Sequence, residues 1–235
     1  MSTLQTMRNR IANETGHYDL LDQIDPAILT AIQTYLNERF VFTIAEYRIN
    51  TVNAQEEYTL PTDLKTTAGG AITSGEDLLQ IDGCINRTGA ASGVIRPATR
   101  QWLDLYYSSV GGTGTPVYYH RNGPIIRFGP VPNAVFNIYL TGVKKLAPLS
   151  TGASSNAWMI EGEALIRNRA KAILARDVMR DPDMMASAQS AEKEAFDDLK
   201  RQVMAHTMQP LAPPNYQVRQ DGTPVVRSQA PSRVA

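Results

Sequence analysis

The spacing of apolar and polar positions divides the chain into four stretches with different patterns. Over residues 3–42 the apolar positions recur every three or four residues, the period of a helix face. Leu4, Met7 and Ile11 predict a first helix that follows Ser2 or Thr3 and ends near Gly16. Asp25-Pro26 predicts the start of a second, because Asp caps free N–H groups and Pro has the φ of a first turn. Ile28, Ile32, Tyr35, Leu36 and Phe40 then line one stripe, so residues 1–42 read as an N-terminal helical pair.

From Thr43 to about Ala147 the pattern becomes runs of Val, Ile, Tyr and Thr broken by Gly, Pro and Asn, which predicts short strands. Val117 to Arg121 and Pro124 to Phe128 flank Asn122-Gly123, a pair that accepts the positive φ angles of a two-residue hairpin turn. Further strands are expected at Tyr47 to Val52, Glu57 to Leu60, Leu78 to Ile85, Gly93 to Arg96 and Phe136 to Val143, with a short helix from Arg100 to Tyr107. Together they would build a small antiparallel sandwich or barrel.

Helical spacing returns after the turn-rich stretch at residues 149–156. Ser155 or Asn156 is placed to cap a helix reaching about Arg180, with Trp158, Leu165, Ile166, Ile173, Leu174 and Val178 on its apolar side. Asp181-Pro182 resets the register, and a last helix from about Met184 to His206 uses Ala188, Ala191, Ala195, Phe196, Leu199 and Val203. The fold class expected is therefore α+β: a four-helix bundle of two N-terminal and two long C-terminal helices, with a small antiparallel β domain inserted at residues 43–150 and a helical hairpin over 151–206 completing the bundle.

Residues 207–235 differ again. They hold five of the chain's 14 prolines and few large apolar side chains, and Arg219, Arg227 and Arg233 stand against one acid, Asp221. Such a segment cannot bury a core of its own and reads either as a disordered appendage or as an extended arm that orders on a partner. Tyr216 and Val218, then Val225 and Val226, are spaced as short strand-forming anchors for addition to another sheet edge.

Composition narrows the function classes. Lys plus Arg and Asp plus Glu both total 23, so the formal net charge is zero and carries no global signature of a nucleic-acid or anionic-membrane binder. The single cysteine, Cys84, excludes an intrachain disulfide and a cysteine-based zinc site. The N-terminus has no apolar core of signal-peptide length and no window approaches a membrane span, so the expectation is a chain made in the cytoplasm.

Candidate chemistry is sparse. His17, His120 and His206 are scattered, with no second ligand at metal spacing, so no metal and no cofactor are expected. The Gly111 to Pro116 stretch lacks the Lys-Ser/Thr and the following helix of a phosphate loop. The carboxylates Glu56 and Glu57, Glu161 and Glu163, and Asp197 and Asp198 are the residue type that glycoside hydrolysis needs, but helix dipoles and solvated helix faces account for them equally. Arg167, Arg169 and Lys171 read as an exposed or intersubunit helix face, and the expectation is no catalytic activity.

Several runs in order resemble the head-to-tail adaptor (connector) proteins of short-tailed and related tailed bacteriophages. They are the helical pair ending at residues 37–42, Glu57 to Leu64, Gly114 to Tyr119, Arg127 to Pro132, and Asn156 to Lys171, the run most like the family's third core helix; together they span about residues 4–205. The resemblance implies a homo-oligomeric ring of twelve subunits in the virion neck, between the portal protein and the tail nozzle protein. DNA would pass through it without sequence recognition and without any membrane contact. The β insertion would face the nozzle or the tail fibres. The arm would dock on the portal through Tyr216, Arg219, Arg227 and Arg233. A virion-associated cell-wall glycosidase and a monomeric β-rich binding module are the competing readings.

Overall fold

The computed structural model describes residues 2–107 and 112–207, together with the backbone of residues 216–218 and 224–226. Thr3 opens the first helix, Leu4–Thr15 (α1), in a reciprocal cap. Its hydroxyl accepts the Thr6 N–H at 3.2 Å, while the Thr6 hydroxyl accepts the Thr3 N–H at 2.6 Å. Gly16, at φ 72°, closes the helix in a conformation that side chains with a Cβ disfavour. The second helix, Leu21–Thr34 (α2), begins a turn earlier than Asp25-Pro26 suggests, and Pro26 lies inside it. Leu21 packs against the helical core and Ile24 is fully buried in it, so burial offsets the one hydrogen bond that Pro26 cannot donate.

The strands are Ile44–Asn50 (β1), Glu57–Thr59 (β2), Lys65–Thr66 (β3), Asp77–Asn86 (β4), Gly93–Val94 (β5) and Arg96–Pro97 (β6); after the helix Arg100–Tyr107 (α3) come Thr113–Gly114 (β7), Tyr118–Asn122 (β8), Ile125–Gly129 (β9), Val131–Pro132 (β10) and Asn137–Lys145 (β11). They form a five-stranded sheet in the order β3-β1-β11-β4-β5, a four-stranded sheet in the order β2-β9-β8-β6, and a separate parallel pair of β7 with β10. One apolar core joins the two sheets, with Ile49, Leu78, Ile138 and Leu140 from the first and Tyr58, Tyr119, Ile126 and Phe128 from the second. Within the hairpin, Asn122 pairs with Ile125, which makes the turn Gly123-Pro124 rather than Asn122-Gly123. Gly123 has φ 58° while Asn122 keeps strand geometry, and the fixed ring of Pro124 suits a second turn position with negative φ.

The remaining helices are Ala157–Ile160 (α4), Glu163–Leu174 (α5) and Pro182–Thr207 (α6), with a π-helical turn at Ala175–Met179 after α5. The backbone of the C-terminal segment contains Tyr216–Val218 (β12) antiparallel to Pro224–Val226 (β13), so the two anchor stretches pair with each other.

A four-helix bundle with a small inserted β domain does not describe this architecture. The described residues contain six α-helices and substantial sheets, with the strands in the middle of the chain. Two physical causes separate the expectation from the outcome. The helix expected from Asn156 to Arg180 breaks at Gly162, where a Cβ would lie 2.9 Å from the Trp158 ring and 3.3 Å from Phe42; the chain turns there to let the aromatic rings in. The helical core is also not a seam between four helices. Phe40, Phe42, Leu146 and Leu149 enter it from outside the helices, while α6 contributes Leu199 as its fully buried member.

The π turn ends at Arg180, which sits in the left-handed region at φ 54° and ψ 39°. An L side chain there costs on the order of 1 kcal/mol that glycine does not incur. Arg180→Gly is therefore expected to stabilise the protein by about 0.5–1 kcal/mol, read as a higher denaturant midpoint with an unchanged slope; a lower midpoint would show that the Arg180 side chain contributes more than the backbone strain costs.

Candidate interaction surfaces

The described residues contain no group of three or more His, Cys, Asp or Glu able to hold a metal ion. His17 lies 3.5 Å from Asp19, and His120 Nδ1 lies 3.0 Å from the Ala98 carbonyl. Cys84 is buried, and burial pushes its thiol pKa up, away from the thiolate that nucleophilic chemistry requires. Among the carboxylates, Glu56 pairs with Arg127 at 3.0 Å, Glu163 pairs with Arg10, and Asp198 pairs with Arg201. Arg127 is buried and also bonds Asp104, which pins α3 onto the four-stranded sheet. No described helix is long and apolar enough to cross a membrane.

What the chain presents instead is a set of surfaces. Along the seam between α1 and α5, Arg167 meets Glu14 at 3.2 Å and Glu163 at 3.7 Å, and Lys171 meets Glu14 at 2.8 Å. These two cations are engaged within the chain while remaining partly exposed. Arg169, two residues from each, turns elsewhere and lies 3.4 Å from Glu192 on α6. Residues 167, 169 and 171 alternate around the helix, so one face cannot hold all three. Beside Arg169, the Tyr35 hydroxyl donates to Glu192 as well, and burial first, then that bond, pushes the Tyr35 pKa up. Lys200 closes the same side, 2.6 Å from Glu38 and about 5 Å from the rings of Phe40 and Phe196 (5.1 and 5.2 Å).

On α3, the Trp102 ring lies tilted against Tyr106 and edge-on to Tyr107 and Tyr118, at centroid distances of 4.9, 5.5 and 4.4 Å. Gly129 makes room for this helix, since a Cβ would lie 2.7 Å from Leu103. Leu105 (75% exposed) and Tyr106 (56%) face outward.

Between α5 and α6 runs a groove of 350 Å³ with Leu165, Ala195 and Leu199 among its lining and Glu161, Asn168, Glu194, Asp198 and Gln202 as its polar members. Sequence reasoning placed Glu161 and Asp198 in carboxylate pairs and missed Asn168, Glu194 and Gln202. Their signal is the four-residue spacing of Ala164 with Asn168 and of Ala191 with Ala195, small residues that leave space between two helices.

Of the arm residues expected to contact a partner, Tyr216 lies on β12, whereas Arg219, Arg227 and Arg233 lie outside the described residues.

A family model described as SU10 adaptor protein matches residues 2–215, which takes in the helical core, both sheets and the start of the arm. The chain belongs to the SU10 adaptor family. This is a family of phage head-to-tail adaptors, and the resemblance found over residues 4–205 leads to the same place. Membership makes the chain a structural component of the virion that interacts with other head and tail components. Such adaptor families are in general not enzymes. No curated protein matches the chain.

Proposed function

We propose that this SU10 adaptor assembles as a ring of twelve copies between the portal protein and the tail nozzle protein, where it forms part of the channel through which DNA leaves. The observation that carries the reading is the family match over residues 2–215, which covers the helical and β parts together. A ring repeats one heterologous contact, so each copy needs two different faces. The helical part has them: the α1–α5 seam with Arg167 and Lys171 on one flank, and α6, with most of its length at the surface, on another. A formal net charge of zero suits a conduit, because a strongly cationic wall would hold phosphates by counterion release. The exposed Leu105 and Tyr106 on α3 offer apolar contact to the nozzle or to tail fibres.

The C-terminal arm completes the reading. Tyr216, Arg219, Arg227 and Arg233 are the proposed contacts to the portal, with the arginines pairing to carboxylates there. Mass measurement on the pure protein, alone and then mixed with the portal ring of the same particle, tests this. The expected result is a low-mass species alone and a high-mass complex of twelve copies per portal ring. The chain ending at Thr207 should leave the portal undecorated. A protein indifferent to the portal, or a shortened chain that still occupies it fully, would refute ring assembly or arm docking respectively.

A further inference from the structure

The groove between α5 and α6 has features that the helical core does not explain. Asn168 lines it at 6% exposure, and its side-chain amide makes no hydrogen bond with any described residue. The residue is buried but its amide is not among the fully enclosed polar atoms, so it opens into the groove, where a guest can supply main-chain or side-chain partners. Glu161 lies on the α5 side and Glu194 on the α6 side, and neither forms an ion pair among the described residues. Asp198, a third acid in the lining, pairs with Arg201 on its own helix, so the groove carries three carboxylates of which two are left without a cation among the described residues. Two unpaired carboxylates beside an apolar floor, with a free amide between them, fit an extended peptide that carries an arginine next to a modest apolar side chain.

The chain itself holds such a peptide. Beyond Thr207, Arg219 follows Val218 and Arg227 follows Val226, and three arginines face one aspartate in the segment. Gln202, at one end of the groove, is five residues before Thr207, or about 8 Å along the helix. Residues 208–218 span up to roughly 34 Å in extended form, while the groove's α6 wall from Ala191 to Gln202 is about 16 Å long. The connection is long enough for the chain to double back along its own α6.

We propose that the α5–α6 groove is the docking site of the chain's own basic C-terminal segment, with Glu161 and Glu194 holding its arginines and Asn168 bonding its backbone. In the free protein the segment is then parked on the body, and a partner that takes the segment must compete with the groove. This goes beyond the ring reading and does not depend on it, because the test contains no portal.

Limited trypsin digestion of the full-length chain reads the docking directly. In the native protein, cleavage after Arg219 and Arg227 should be slow. In the Glu161→Gln/Glu194→Gln variant it should be about tenfold faster, the loss expected when two partly exposed charge pairs of about 0.7 kcal/mol each are removed. Cleavage at Arg201 in α6 should be unchanged. If the variant were to loosen the whole body, the unmodified protein in 0.5 M NaCl provides the second reading. Salt should speed cleavage at Arg219 and Arg227 alone. Rates at these two arginines that respond neither to the substitutions nor to salt overturn the proposal. Protection that grows with protein concentration overturns it too, since the segment then comes from another copy.

Discussion

Trp158→Ala is expected to cost about 3–5 kcal/mol and to lower the melting temperature by on the order of 10 °C. Trp158 is 2% exposed, on α4, and its ring meets Phe42 edge-on at 5.0 Å and Phe40 at 5.7 Å. Phe40 in turn touches Phe42 at 5.5 Å and Phe196 of α6 at 5.9 Å. Removing the indole leaves a cavity where residues 40–42, α4 and α6 converge, and forfeits two aromatic contacts besides the buried area. Few domains have more than 5–15 kcal/mol to lose, so the variant should be marginal at growth temperature. Trp158→Phe, which keeps a ring in the site, should recover a good part of that loss. Equilibrium denaturation of both variants checks this, and a midpoint for Trp158→Ala near that of the parent would mean that the site collapses around the smaller side chain.

Gly142→Ala should destabilise the sheet by about 2–4 kcal/mol. Gly142 lies in β11 where the pairing with β4 shifts register, between Thr141 and Gly142. A Cβ there would collide with the Gln80 carbonyl, lying 2.8 Å from its carbon and 3.2 Å from the Ile81 Cα. Backbone atoms on the central pair of strands cannot move aside as a flexible side chain can, so the strands must part or the bulge must change. Gly83→Ala, in the facing strand, is the matched control: its Cβ would find the Thr141 Cβ at 4.0 Å, an ordinary contact, and the cost should stay within about 0.5 kcal/mol. Equal losses at the two positions would place the cost in strand entropy rather than in the close approach.

Much of the local structure is legible in the sequence. The α1 cap at Thr3 and stop at Gly16, the short helix Arg100–Tyr107, and the strands at Ile44–Asn50, Asp77–Asn86 and Asn137–Lys145 fall within a few residues of the pattern. The adaptor family was legible too, because ordered runs such as Asn156 to Lys171 carry it without reference to packing. The surfaces were less so. Arg167, Arg169 and Lys171 look like one basic cluster in sequence, yet α5 sends Arg167 and Lys171 to Glu14 and Arg169 to Glu192. Those partners are more than 20 residues away in either direction, and no local pattern identifies them.

The sequence by itself determined what depends on near neighbours along the chain: the caps and stops of helices, the alternation that makes strands, the hairpin at residues 118–129, and the family. Tertiary structure decided what depends on atoms far apart in sequence. It broke the expected third helix at Gly162 to admit the Trp158 and Phe42 rings, and it drew Phe40, Phe42, Leu146 and Leu149 into the helical core in place of a four-helix seam. It left Asn168, Glu161 and Glu194 facing one groove without side-chain partners among the described residues. Propensity and periodicity report the energy of a residue against its own segment, whereas a broken helix, a paired arginine or an open amide is set by packing and charge contributed by other segments.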